Sequence, residues 1–459
     1  MSSTIPVFRG KNPLLPGAEF LRDPFRFSIG RAREVGDFFR IPFIPKNLPA
    51  GRQVYFTTNI EVIKHVLQGN QKNYVKSVAY RYLKMALGNG LVTSEGEHWR
   101  RNRRLIQPAF YKTQLEGLYN VMAGIAERYS QGLLKKIGEG AVVEITEELM
   151  SVTADIALKT LFSADNPADI SEMYRIMVEA QEYIVQRTVK PYLTPLAFVN
   201  GRHRRFRRDM DWFDGHIFNL INERRKNPQP VNDLLSMLLH ARYEDTGEPM
   251  DDRQVRDEAV TLFAAGHETS SNALAWTLYL LAQHPEILKK LRKEVDETLG
   301  GKTPAFSDLR KLGYTMQVIQ EGMRLYPPAF AIGREPLADD EILGVKIPKG
   351  SVMFLSICGL HRDPKYWERP DEFYPSHFLP ENEKKRPKMA YAPFGAGPRM
   401  CIGNHFALME MQLLLATLVC RVDLELATSE QVAPQPLITL KPKNGIKLRL
   451  RPRKVFPPV

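Results

Sequence analysis

One short stretch limits this chain more than any other. Phe394-Gly395-Ala396-Gly397-Pro398-Arg399-Met400-Cys401-Ile402-Gly403 sets a single cysteine at the end of a glycine-rich loop, directly before an apolar helix expected over 402–419. A helix start offers free amide N–H groups and the positive end of the helix dipole, and both favour a thiolate over a thiol. The thiolate is the form of cysteine that ligates a transition metal. Taken alone, a cysteine beside an apolar helix is more often an inert core residue, so the neighbouring positions have to decide.

The rest of the chain describes a water-soluble globular protein. It has 459 residues, 43% of them hydrophobic and 25% charged, with no repeat, low-complexity tract or Gly/Ser-rich linker. Lysine plus arginine number 64 against 52 acidic residues, a formal charge of +12. No zinc-finger spacing, RNP-like aromatic motif or basic tail accompanies that charge, which argues against nucleic acid and for an acidic protein partner or an anionic cofactor. Cys358, Cys401 and Cys420 are too few and too far apart for a disulfide framework. The Met1–Pro24 segment, interrupted by Pro6, Pro13 and Pro16, lacks a secretory pattern, and the apolar Ala273–Ala282 run is too short to span a bilayer. A cytoplasmic, monomeric protein without a transmembrane anchor is expected.

Along the chain, a β-like run at Val54–Thr57 and a helical pattern at Ile60–Leu67 open a mixed region. Helical periodicity then dominates from Thr113 to Glu297. Val255, Ala259, Leu262, Phe263 and Gly266 form the buried stripe of a long helix that Pro285 ends. Strands are expected at Val352–Ile357 and Ile446–Leu450.

Every fixed position of the Phe394–Gly403 loop resembles the haem-binding loop of the cytochrome P-450 family, and Ala265-Gly266-His267-Glu268-Thr269-Ser270 resembles its oxygen-activating helix, in the family's order. The resemblance implies one domain over residues 1–459, mainly α with a smaller β-rich lobe. The β lobe would be built from the amino-terminal segments, parts of 327–360 and the carboxy-terminal tail, and the helical lobe from roughly 95–325 and 394–420. Haem b would lie between the long central helix and the cysteine loop. Cys401 would be the axial iron ligand, its sulfur pushing electron density toward the iron to favour O–O cleavage. Phe394 would pack beside the sulfur, Gly397 and Gly403 would keep the loop close to the porphyrin, and Arg399 would bond a propionate. Gly266 would let dioxygen approach, with Thr269 positioning a proton relay that Glu268 feeds.

Further matches extend this site. Trp99 and Arg103, in His98-Trp99-Arg100-Arg101-Asn102-Arg103-Arg104, and Arg334 after Pro327-Pro328 would meet the propionates, with His98 a further candidate. Glu321 and Arg324 stand at i and i+3 inside an apolar stripe, which implies a buried structural pair. The family completes that pair with an arginine, where this chain has His377 within Pro375-Ser376-His377-Phe378. Imidazole can donate to Glu321 but lacks a guanidinium's fork.

By the same resemblance the substrate pocket draws on Tyr80–Leu91, on Leu262, Phe263, Ala264 and Ala265, on Phe330, Ala331 and Ile332, and on Leu437 and Ile438. These are mostly apolar and imply a fatty acid, terpenoid or steroid, hydroxylated or epoxidised with dioxygen and two electrons from a separate donor. That donor would be a ferredoxin or flavodoxin type with its reductase, steered by Arg100, Arg101, Arg104, Lys384, Lys385 and Lys388. The Arg202, Arg204, Arg205, Arg207 and Arg208 cluster opens a helix expected over Phe206–Arg225 and reads as a solvated face. A peroxide-driven or non-redox relative would not need Glu268 and Thr269. A haem gas sensor would bind ligands without consuming electrons.

Overall fold

The computed structural model describes residues 5–11, 17–42, 53–163, 167–189, 194–227 and 233–453; Pro13 and Pro16 lie outside them. Everything is organised around one helix, Asp252–Gln283. The Asp251 side chain caps its start by accepting from the Gln254 amide, and His284-Pro285 ends it where expected. Its first half, through Val255, Ala259 and Phe263, packs into a core shared with the helices Pro167–Val189 and Arg202–Lys226. Its second half, Ala273 to Leu281, packs into another core with the helices Lys112–Ile137, Gly313–Leu325 and Asn404–Arg421. Between the halves the wrapping lapses, and Ala265 is exposed in the middle of an otherwise buried helix.

The smaller lobe is built on a five-stranded sheet in the order Phe38–Ile41, Val54–Thr57, Val352–Ser356, Ala331–Pro336, Tyr74–Lys76. Val54–Thr57 runs parallel to Val352–Ser356 and the other pairings are antiparallel. One face carries an aromatic cluster in which Phe39 stacks on Phe56 at 4.8 Å and Phe27 meets Phe8 edge-on at 5.0 Å. The tail strand Lys447–Pro452 lies between Ala141–Glu144 and Val422–Leu426. The helix expected over Ile60–Leu67 widens after Lys64 into a π-turn, His65–Gly69, and the one expected over Phe206–Arg225 runs from Arg202 to Lys226. Among the described residues no helix is long and apolar enough to cross a membrane.

The segment from Tyr80 to Glu95 is fastened to the central helix by buried polar groups. Asp257 accepts from the Asn89 amide at 2.6 Å, Glu258 from the Leu91 amide at 2.9 Å, and Arg256 donates to the Ala86 carbonyl at 3.1 Å. A Cβ on Gly90 would stand 2.2 Å from the Thr261 hydroxyl, so only glycine lets the two segments approach this closely.

Candidate active site

The cysteine loop closes on itself through the Cys401 amide, which donates to the Phe394 carbonyl at 2.9 Å. Phe394 packs against the larger helical core. The following helix starts at Asn404, two residues later than the apolar run suggests, which leaves the Gly403 amide free to donate to the sulfur. Burial pushes the Cys401 thiol up, while that amide and the Arg103 guanidinium pull the other way. Yet the residue is exposed. A sulfur deep enough to be desolvated, with surface still free, looks into an internal space and not into bulk water.

Gly397 makes a contact that the sequence does not announce. At φ +71° its Cβ would stand 1.9 Å from the Leu67 carbonyl, so this glycine seats the loop on the π-turn of the smaller lobe. Gly403 meets only the Phe110 ring, at 3.7 Å, and tolerates a Cβ.

At one end of the loop cations gather. Trp99 is buried, with the Arg399 guanidinium 4.2 Å from its ring centre; Arg399 also donates to the Ser94 carbonyl at 3.1 Å and pairs with Glu95. Arg334 is buried opposite Lys76 in the sheet and bonds the Gly333 carbonyl at 3.0 Å. Lys76, which sequence reasoning missed, donates to the Leu91 and Ser94 carbonyls; burial first, then Arg399, push its ammonium down to about 6. Arg103 is half-buried, 3.4 Å from Gln107, while His98 is exposed and bonds Asn102.

These residues fit a haem on three counts. The sulfur is deep but uncovered, the central helix is bare at Ala265, and Arg334 and Arg399 stand at one end of the loop beside Lys76, whose ammonium is held down by its burial and by Arg399, so two propionates placed there would relieve the crowding of positive charge.

On the central helix the Thr269 hydroxyl donates to the Ala265 carbonyl at 2.7 Å. A Cβ on Gly266 would meet nothing within 4 Å, so space beside it is open. Glu268 turns away from Thr269. Its carboxylate accepts from Thr439 at 2.6 Å and from the Gln181 amide, with Lys441 at 3.1 Å.

Around this face lies a cavity of about 1320 Å³, lined by Ala264, Ala265, Phe330, Ala331, Leu437 and Ile438 as expected. Leu262, Phe263 and Ile332 are not on its wall. The two helix residues point into the helical core, because they sit on the buried stripe, and Ile332 packs within the smaller lobe against Gly395.

Behind the loop, Glu321 and Arg324 are fully buried and doubly bonded at 2.7 and 2.8 Å. Arg324 spends its remaining donors on the carbonyls of His361, Pro370 and Glu372. His377 Nδ1 lies 3.2 Å from Glu321, and the Tyr374 amide donates to the same carboxylate at 2.8 Å. A further guanidinium lies close by: Arg386 bonds the His377 carbonyl and sits 3.9 Å over Trp367, without bonding Glu321 itself. His361 carries the brace to the cysteine loop. Burial beside Arg324 lowers its pKa to about 3, so its neutral Nε2 accepts from the Ala392 amide at 2.9 Å.

Glu410, on the cysteine-side helix, faces Ser270 on the central helix without forming a hydrogen bond of good geometry, and burial raises its carboxyl to about 8. A carboxyl raised above its ordinary 4.5 holds a proton in the folded state that the unfolded chain releases, so this group's contribution to stability declines as pH climbs from about 4.5 to about 8. Glu410→Gln is expected to leave the unfolding midpoint near wild type at pH 5 and to stabilise the protein by on the order of a few kcal/mol at pH 8. Denaturant titrations at both pH values check this; a gain that is the same at both would contradict it.

The cations expected to steer a donor are partly neutralised. Arg101 pairs with Asp245 and stacks on Tyr243, Arg104 lies 3.6 Å from Glu244, and Arg100 pairs with Glu97. Lys384, Lys385 and Lys388 are exposed. In the other basic cluster, Arg202 bonds Gln186 and Arg208 pairs with Asp209 at 3.0 Å.

The family profile described as Cytochrome P450 matches residues 32–449. Cyclooctatin synthase of Streptomyces melanosporofaciens is 32% identical, covering 85% of this chain and 84% of its own length. Cyclooctat-9-en-7-ol 5-monooxygenase of the same organism is 33% identical over 80% of each chain. A chloroplastic relative from Glycine max, Cytochrome P450 97B2, is 31% identical over 97% of this chain and 86% of its own. Among solved structures the cytochrome P450DA heme domain superposes with a TM-score of 0.89 at 26% identity, over 99% of both chains.

Proposed function

The chain belongs to the cytochrome P450 family and is a haem-dependent monooxygenase; from that premise we propose that it hydroxylates or epoxidises a hydrophobic small molecule of terpenoid, steroid or fatty-acid type, drawing two electrons from a separate ferredoxin- or flavodoxin-type protein. The observation that carries this reading is the large apolar cavity meeting the bare face of the central helix at Ala265 and Thr269. Haem b supplies the iron chemistry that splits dioxygen.

The chain's own residues do the rest. Cys401 presents its sulfur to the metal, and the Gly403 amide and Arg103 stabilise negative charge on it. Trp99, Arg103, Arg334 and Arg399, joined by Lys76, hold the propionates. Thr269 keeps a hydroxyl proton at the edge of the cavity, and the apolar lining excludes bulk water. Lys384, Lys385 and Lys388 form the part of the basic face left free to meet an acidic donor.

Titration of the purified, haem-loaded protein with a hydrophobic compound library is expected to yield terpenoid, steroid or long-chain ligands that shift the Soret band, with oxygenated product once a ferredoxin and its reductase are added. Soret shifts confined to small polar ligands, or none, would defeat the proposal.

A further inference from the structure

The cavity is mostly apolar, and its charge is gathered at one corner. Among the described residues its wall holds two side chains with a full charge, Glu268 and Lys441, and Lys441 Nζ lies 3.1 Å from Glu268 Oε1. They arrive from separate elements, the central helix and the hairpin strand Leu440–Pro442. Gln181, from a third element, the helix Pro167–Val189, bridges them. Its amide donates to Glu268 Oε2, and its carbonyl oxygen accepts from Lys441 at 2.8 Å. Glu268 also takes the Thr439 hydroxyl, which itself accepts from Asn272 at 3.1 Å.

An ammonium has three N–H donors. Two of those on Lys441 serve Glu268 and Gln181, and the third has no partner among the described residues, although 18% of the side chain remains exposed beside the cavity. An otherwise greasy chamber therefore ends in one spare charge-assisted donor.

On the reading that this cavity holds the substrate, we propose that Lys441, positioned by Glu268 and Gln181, is a specificity-determining residue that selects hydrophobic molecules carrying one neutral acceptor oxygen, an alcohol or a ketone. The ion pair sets the choice. Lysine and glutamate cancel, so a neutral oxygen takes the free N–H without disturbing either partner. A carboxylate reaching the same N–H would stand within a few ångström of Glu268 and be repelled. A bare hydrocarbon would seal the donor away from water with nothing to bond.

Two matched sets of probes test this on the haem-loaded full chain: abietadiene, abietadienol and abietic acid, then hexadecane, hexadecanol and hexadecanoic acid, with affinities read from the Soret shift. In the wild type the alcohol is expected to bind about 10- to 100-fold tighter than its hydrocarbon, the range of a charge-assisted hydrogen bond, and tighter than its acid. The double variant Glu268→Gln/Lys441→Met removes both charges together and leaves no lone ion. It is expected to cut the alcohol's advantage to about threefold or less while hydrocarbon affinity stays within about threefold of wild type. Lys441→Arg, which keeps a cation with spare donors, is expected to retain the preference, so the outcome does not hang on the double variant folding. Equal binding of alcohol and hydrocarbon, or an acid that binds tightest, overturns this proposal and leaves the monooxygenase reading intact. If none of the six compounds moves the Soret band of a protein with a thiolate-type carbon-monoxide spectrum, the reading of the cavity falls, and this proposal with it.

Discussion

Cys401→Ser is expected to fold and to lose both the thiolate-type carbon-monoxide spectrum and turnover. The loop survives because its closing bond is made by the backbone of residue 401 to the Phe394 carbonyl, and a hydroxyl is no larger than a thiol. What disappears is the electron-rich ligand. A loss of about a thousandfold in product formation, about 4 kcal/mol in the barrier, is the minimum consistent with the role assigned to the sulfur. Reduced difference spectra with carbon monoxide, taken beside product assays, check it. A serine variant with an unchanged spectrum and full turnover would end the haem-thiolate interpretation.

Arg324→Ala is expected to be as damaging by another route. It strands the Glu321 carboxylate at zero exposure with only His377 and the Tyr374 amide for company, and removes the donors from three carbonyls. Breaking a buried pair from one side costs about 3 to 5 kcal/mol, a large share of the roughly 5 to 15 kcal/mol that holds a domain folded. Haem content per protein should collapse and the melting temperature should fall steeply. Arg324→Lys should not restore either, because one ammonium cannot replace a fork that meets a carboxylate and three carbonyls at once. A variant that loads haem and melts like wild type would show that the pair is not the brace described above.

What could be read from the chain was whatever is written in consecutive residues. The stripe from Val255 to Gly266, the cysteine loop and the Glu321–Arg324 spacing each carry their own signal, and the helix, the loop and the buried pair are found there. What could not be read depends on segments far apart in sequence. Lys76 and Glu95 reach the Arg399 end of the site through sheet pairing and a loop, and no local pattern marks them. Arg386 supplies near Trp367 a charge that the motif at Pro375–Phe378 lacks, nine residues further on. The resemblance assigns Leu262 and Phe263 to the pocket together with Ala264 and Ala265, although helical geometry turns those two into the helical core. Lys441 did leave a trace. The resemblance places Leu437 and Ile438 at the substrate, and Lys441 follows them within the same short hairpin and lines the same cavity.

The contact between Gly397 and the Leu67 carbonyl has a mechanical consequence. The cysteine stretch rests on the main chain of the smaller lobe at this point, so a swing that parted the two halves here would first have to lift Gly397 off Leu67; the seam is a tether between the lobes.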